Sequence, residues 1–116
     1  MSTSIAQVTF DSDNPRAQAE FWSGVLQEPV DDYGNEFVAT VGRSGDGTGL
    51  MFIKVPEGRS GKNRIHLDLV TAEWSTEVDR LVGLGAKRLD EYDEFDTHWI
   101  TFADPEGNLF DLAELR

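Results

Sequence analysis

His66 is the side chain in this sequence best placed to do chemistry. It stands in the alternating stretch Arg64 to Val70, where Ile65, Leu67 and Leu69 form one row and Arg64, His66 and Asp68 the other. Asp111 lies between Leu109 and Ala113, opposite a row made by Phe110 and Leu112, so an acid sits on a partly apolar face and calls for a partner. On the first alternating stretch Ala6, Val8 and Phe10 share one face, which leaves Gln7 on the other with Ile5 and Thr9. Any metal in this chain must take nitrogen or oxygen ligands. Without metal, His66 and Asp111 could act as a base and its orienting carboxylate, or as hydrogen-bond anchors for a ligand. A purely structural reading pairs Asp111 with Arg64 or Lys54 and leaves His66 hydrogen-bonded. Cysteine is absent, so thiolate ligands, thiol nucleophiles and disulfides are excluded together.

The elements that must position these groups follow from periodicity. Ile5 to Phe10 reads as a strand, and Asp13-Asn14-Pro15 supplies a cap and a first-turn proline for a helix starting near Pro15. Ala17, Phe21 and Val25, flanked by Trp22 and Leu26, make its apolar stripe. Three β-prone stretches follow: Val30 to Tyr33, Glu36 to Val41 and Gly49 to Val55. After the polar connection Pro56 to Asn63 the order recurs. A strand spans Arg64 to Val70, a helix carries Trp74, Val78, Leu81 and Val82 until Gly83 and Gly85 close it, and strands cover Ala86 to Tyr92, Thr97 to Ala103 and Asn108 to Leu115. The expectation is an α+β fold of two βαβββ modules, about 1–58 and 63–116. In 116 residues the two modules must share one core as a single domain, 1–116.

Charge and composition narrow the partners. With 22 acidic and 10 basic residues the net charge of -12 argues against nucleic acid and would attract a cationic ligand. No apolar run approaches the ~20 residues of a membrane helix, so no membrane partner is expected. Met1 to Gln7 has no signal-peptide pattern, which makes the cytoplasm the default location.

Three segments together resemble the vicinal oxygen chelate superfamily, the group of glyoxalase I, extradiol dioxygenases, methylmalonyl-CoA epimerase and the bleomycin- and fosfomycin-resistance proteins. They are Asp11 to Leu26 with Asn14-Pro15 and Phe21-Trp22, Lys62-Asn63-Arg64-Ile65-His66-Leu67-Asp68-Leu69, and Asp104-Pro105-Glu106-Gly107-Asn108-Leu109-Phe110. The last two are similar to a bacterial glyoxalase-like branch. The resemblance implies sheets curled around a cup with helices outside, often completed as a homodimer, and a small-molecule ligand or substrate. Metal-dependent members take ligands from the first and last strands of each module. By position these are Gln7, Ile53, His66 and Asp111, of which Ile53 cannot bind metal.

The expected cup residues are therefore Gln7, Ile53, His66, Asp68, Trp99 and Asp111, with His66, Asp111 and Gln7 as the metal set. Met51 and Val55 share the Ile53 face, which makes that wall apolar. One of His98 and Trp99, neighbours on a strand, must face the cup, where an aromatic wall would suit a planar ligand. Trp22 and Trp74 are expected to be packing residues. Arg43 to Gly49 lacks the Gly-Lys-Ser or Gly-Lys-Thr of a phosphate loop and reads as a mobile hairpin, and Glu91 to Asp96 as a solvated acidic turn. Three readings remain open: a binder of the resistance or sequestration type, a divalent-metal-dependent lyase, isomerase or dioxygenase, and, last, a purely structural or regulatory module that needs no polar cup.

Overall fold

A computed structural model describes residues 5–43, 45, 47–57, 61 and 63–115. The chain divides into two compact units, 1–58 and 59–116, each with one helix and one mixed sheet, which makes the fold α+β. Parts of the glycine-rich stretch 43–49 and of the connection 56–63, Lys62 among them, lie outside the described residues.

In the first unit β1 (Gln7–Ser12), α1 (Pro15–Leu26), β2 (Val38–Val41) and β3 (Gly49–Lys54) form a three-stranded sheet of order β1-β3-β2. β1 runs parallel to β3, a pairing that needs a crossover, and α1 lies within it. The helix starts where Asn14 caps it, its Oδ1 accepting from Ala17 N at 3.2 Å, and Pro15 supplies a helical φ where no amide donor is needed. It ends at Gln27, whose φ of 56° is left-handed. Period-two burial puts Leu50 and Phe52 of β3 and Ala39 and Val41 of β2 in the core with Phe21, Trp22 and Val25 of α1. The Phe10 ring sits 5.9 Å from Trp22 and 5.1 Å from Phe52, so the Val8–Phe10 face of β1 is the one toward the helix.

Two expectations need correcting in this unit. The buried stripe of α1 is Pro15, Gln18, Ala19, Phe21, Trp22 and Val25, while Ala17 is exposed. Of the strand expected over Val30 to Tyr33 only a bridge from Val30 to Val41 forms, and the next begins at Val38 rather than Glu36. The cause is local. Pro29 has no amide donor, and Asp31 turns its carboxylate onto Thr40 Oγ1 (2.7 Å) and Arg43 N (3.1 Å). Gly34 then takes a φ of 131°, where an added Cβ would meet Val38 O at 2.8 Å.

The second unit contains β4 (Leu67–Thr71), α2 (Trp74–Leu84), β5 (Lys87–Glu94), β6 (Thr97–Ala103) and β7 (Leu109–Glu114) in the sheet order β4-β7-β6-β5. The plan of the first unit recurs, first strand parallel to last, with a full strand β5 where the first unit has only its Val30 bridge. α2 buries Val78 and Leu81, and the sheet buries Ile100, Phe102, Phe110 and Leu112, with the Phe102 and Phe110 rings stacked at 5.6 Å. Gly83 is inside the helix. Gly85 alone caps it, at φ 115°, its amide reaching the carbonyls of Leu81 and Val82. The turn before β7 is built on buried Asp104, whose Oδ1 accepts from the amides of Glu106 and Asn108 at 2.9 Å each, while Gly107 takes φ 91°. β4 begins at Leu67, not Arg64, and Ile65 is 80% exposed rather than part of the helix-facing row. Among the described residues no helix is long and apolar enough to cross a membrane.

Candidate metal centre

Strand register brings three of the expected residues to one face of the second sheet. Asp68 of β4 and Thr101 of β6 are both Cα partners of Asp111 on the central strand β7, so their side chains project from the same side. His66, two residues before Asp68, adds its imidazole there. Its Nδ1 lies 3.0 Å from Asp68 Oδ1 and 3.7 Å from Asp111 Oδ2. Asp111 is the least exposed of the three, with 22% of its side chain accessible against 46% for His66 and 71% for Asp68.

What holds His66 there is a side chain whose part was not foreseen. Asn63 Oδ1 accepts from Leu109 N at 3.0 Å, and its Nδ2 donates to Ile65 O at 2.6 Å. The segment before β4 is thereby tied to the start of β7, although it has left the ladder. Thr101 was also missed: its hydroxyl donates to Asp111 Oδ1 at 2.6 Å. No sequence signal marks either residue, because both contacts run between chain segments that only the strand register brings together.

One imidazole nitrogen and two carboxylate oxygens, all within 4.8 Å of one another, suit a first-row divalent ion. Bonds of roughly 2.0–2.2 Å place two ligands of one ion at most about 4.4 Å apart, so small side-chain rotations suffice. The Thr101 hydroxyl on the outer oxygen of Asp111 is the kind of second contact that orients a ligating carboxylate. The residues therefore fit a metal, with Asp68 added to the expected His66 and Asp111. Among the described residues Arg64 makes no ion pair with Asp111, and Lys54 Nζ donates to the Asp13 carbonyl within its own unit at 3.0 Å.

Gln7 and Ile53 belong to the first unit. They lie on the face of its sheet that also carries Thr9 and Met51, with Gln7 half-buried and Ile53 38% exposed. Counting by register, Thr9 follows Gln7 by two and pairs with Met51, as Asp68 follows His66 by two and pairs with Asp111. Met51 rather than Ile53 thus occupies the place equivalent to Asp111, and neither offers a metal a carboxylate.

On the second sheet the Asp111 face continues into an aromatic pair. Trp99 shares the face of Thr101, and its strand partner Tyr92 stacks on it at 5.0 Å and 20°. The charge on Asp90 beside Tyr92 pushes its hydroxyl above the usual tyrosine range, with burial and more distant carboxylates, Asp111 among them, adding to it. His98 projects to the opposite side, where its ring meets Trp74 of α2 at 4.4 Å. Its Nδ1 is 2.9 Å from Glu114 and its Nε2 2.6 Å from Glu91. These hydrogen bonds, Glu114 first, hold the imidazole protonated above the ordinary histidine value, and the same contact pulls Glu91 below the usual carboxylate range. The acidic stretch expected as a turn is thus mostly strand β5, with the turn confined to Phe95 and Asp96 at positive φ.

No match is found among curated proteins. Among solved structures, a glyoxalase/bleomycin resistance protein/dioxygenase family enzyme from Burkholderia phytofirmans PsJN superposes with a TM-score of 0.82 at 14% identity, over 98% of this chain and 100% of that one. A mutant of the fosfomycin resistance protein FosX from Listeria monocytogenes, solved with Mn(II) and 1S,2S-dihydroxypropylphosphonic acid, gives 0.78 at 14% identity over 97% and 90%. A glyoxalase/bleomycin resistance protein/dioxygenase from Nocardioides gives 0.74 at 18% identity over 98% and 84%. At such identities these likenesses speak for the fold alone. The model of the glyoxalase-like domain matches residues 7–113, nearly the full length, and with the repeated strand-helix-strand plan it establishes that this chain belongs to the glyoxalase-like domain family.

Proposed function

We propose that this protein binds a small oxygen-bearing organic molecule at the Asp111 face of its second module, through a divalent ion of the Mn, Fe, Co, Ni or Zn class held by His66, Asp68 and Asp111. The observation that carries the reading is the convergence of one imidazole and two carboxylates, within 4.8 Å, from a loop and two neighbouring strands. A cation there would polarise the oxygen atoms of the bound molecule as a Lewis acid. The chain's own residues do the rest. His66 offers Nδ1 only when that nitrogen is unprotonated, so acid competes with loading. Asp111 is oriented by Thr101, and Tyr92 with Trp99 offers an apolar shelf for the organic part of the ligand. The family resemblance adds Gln7 as an expected further ligand and suggests a homodimer. The loaded site would serve lyase, isomerase or dioxygenase chemistry.

A second reading is a metal-free binder of the sequestration type. Met51 and Ile53 favour it, because they make apolar the face of the first sheet that carries Gln7. Elemental analysis of protein purified without chelator or metal-affinity resin separates the two. One ion per chain, lost in His66→Ala and Asp111→Ala, is expected. No bound ion even after metal addition would sink the metal reading and leave the binder, to be pursued by thermal-shift screening of small molecules.

A further inference from the structure

We infer that Thr101 is a specificity-determining residue of the candidate centre: by holding Asp111 Oδ1 it leaves Asp111 a single oxygen to offer, which biases the centre toward small divalent ions and against calcium. This deepens the reading above and rests on it. The Thr101 hydroxyl donates to Oδ1 at 2.6 Å, a short, charge-assisted bond, while Oδ2 is the oxygen turned toward His66. Thr101 has little freedom to let go. It is β-branched, and its neighbours on β6, Ile100 and Phe102, are 1% and 0% exposed, so the strand cannot rotate about its axis. Its register with Asp111 is fixed by the β6–β7 ladder.

Calcium prefers six to eight oxygen ligands and gains from carboxylates that give both oxygens, whereas Mn(II) and its neighbours are content with fewer donors and accept imidazole nitrogen. A carboxylate with one oxygen committed to a hydroxyl favours the second group. Freed of Thr101, Asp111 could swing both oxygens inward. A purely structural role would leave ion preference untouched.

The test is isothermal titration of Mn(II) and of Ca(II) into the wild-type protein, Thr101→Val and Thr101→Ser, with a thermal melt of each. Valine keeps the branched shape without the donor, and serine restores the donor. Thr101→Val should weaken Mn(II) binding about 10- to 100-fold, as loss of an outer contact to a ligand does, and narrow the preference for Mn(II) over Ca(II) by about tenfold. Thr101→Ser should return both toward wild type. If Thr101→Val is too unstable to titrate, Thr101→Ala serves with the same expectation. An unchanged Mn(II)/Ca(II) ratio in the folded variant overturns the role of Thr101 and leaves the metal reading standing. Absence of binding of either ion by the wild type overturns the metal reading itself, and this inference with it.

Discussion

Replacing His98 with glutamine tests how the second module is braced. Both imidazole nitrogens face carboxylates, Glu114 at 2.9 Å and Glu91 at 2.6 Å, and both can donate together only in the imidazolium. Arg88 also reaches Glu91, at 2.7 Å, and Asp93 is the strand partner of His98, so the surroundings are anionic on balance. The folded pKa is therefore raised above the unfolded value of about 6.5. The sign follows: native protein holds the extra proton between the two values. The clamp's stability is fully present below about 6.5 and is lost as pH rises through the folded value.

One titrating group limits the slope to about 1.4 kcal/mol per pH unit. Since 17% of the His98 side chain is exposed, salt screening keeps the true slope below that ceiling. In a domain of this size 1 kcal/mol moves Tm by roughly 3–6 °C. Melts of wild type, His98→Gln and His66→Ala, run from mildly acidic to mildly alkaline pH, isolate the effect, because His66 and His98 are the two histidines of the chain. Wild type and His66→Ala should lose a few degrees per pH unit above neutrality, and His98→Gln should show a flatter curve. A glutamine variant that keeps the wild-type slope would refute the clamp.

Asn63→Ala should leave the melt within a few degrees of wild type but weaken Mn(II) binding, since it releases the segment carrying His66; titration calorimetry checks it, and unaltered affinity would count against the positioning argument. Asn14→Ala removes the cap of α1 and should cost about 0.5–2 kcal/mol in urea melts, with Asn14→Asp largely restoring it. Phe102→Ala deletes a fully buried ring stacked on Phe110 and should cost about 3–5 kcal/mol in urea melts, a large share of the ~5–15 kcal/mol that holds a typical domain folded.

The sequence by itself determined the order of elements and which face of most strands is apolar. Alternation in β1, β3 and β7 and the three-to-four spacing of α1 and α2 are local signals, and, although Ala17 and Val82 of the expected helix stripes are exposed, the structure in the main follows them. So does the placement of Asp68 and Asp111 away from the helix, because side chains alternate wherever one face of a strand is buried. Where local chemistry competes with the ladder, the pattern misleads. Pro29, Asp31 and Gly34 reduce an expected strand to one bridge, and the apolar Ile65 ends up in solvent because the chain joins the sheet only at Leu67.

Tertiary structure alone decided what meets across strands. Nothing in the spacing of Thr101 and Asp111, or of Asn63 and Leu109, says that they touch; the β4–β7 and β6–β7 registers do. The same registers added Asp68 to the expected ligands, and they turned Trp99 toward Asp111 and His98 toward Trp74. A strand's own sequence says which residues share a face, whereas distances between strands depend on pairing, which the folded sheet fixes.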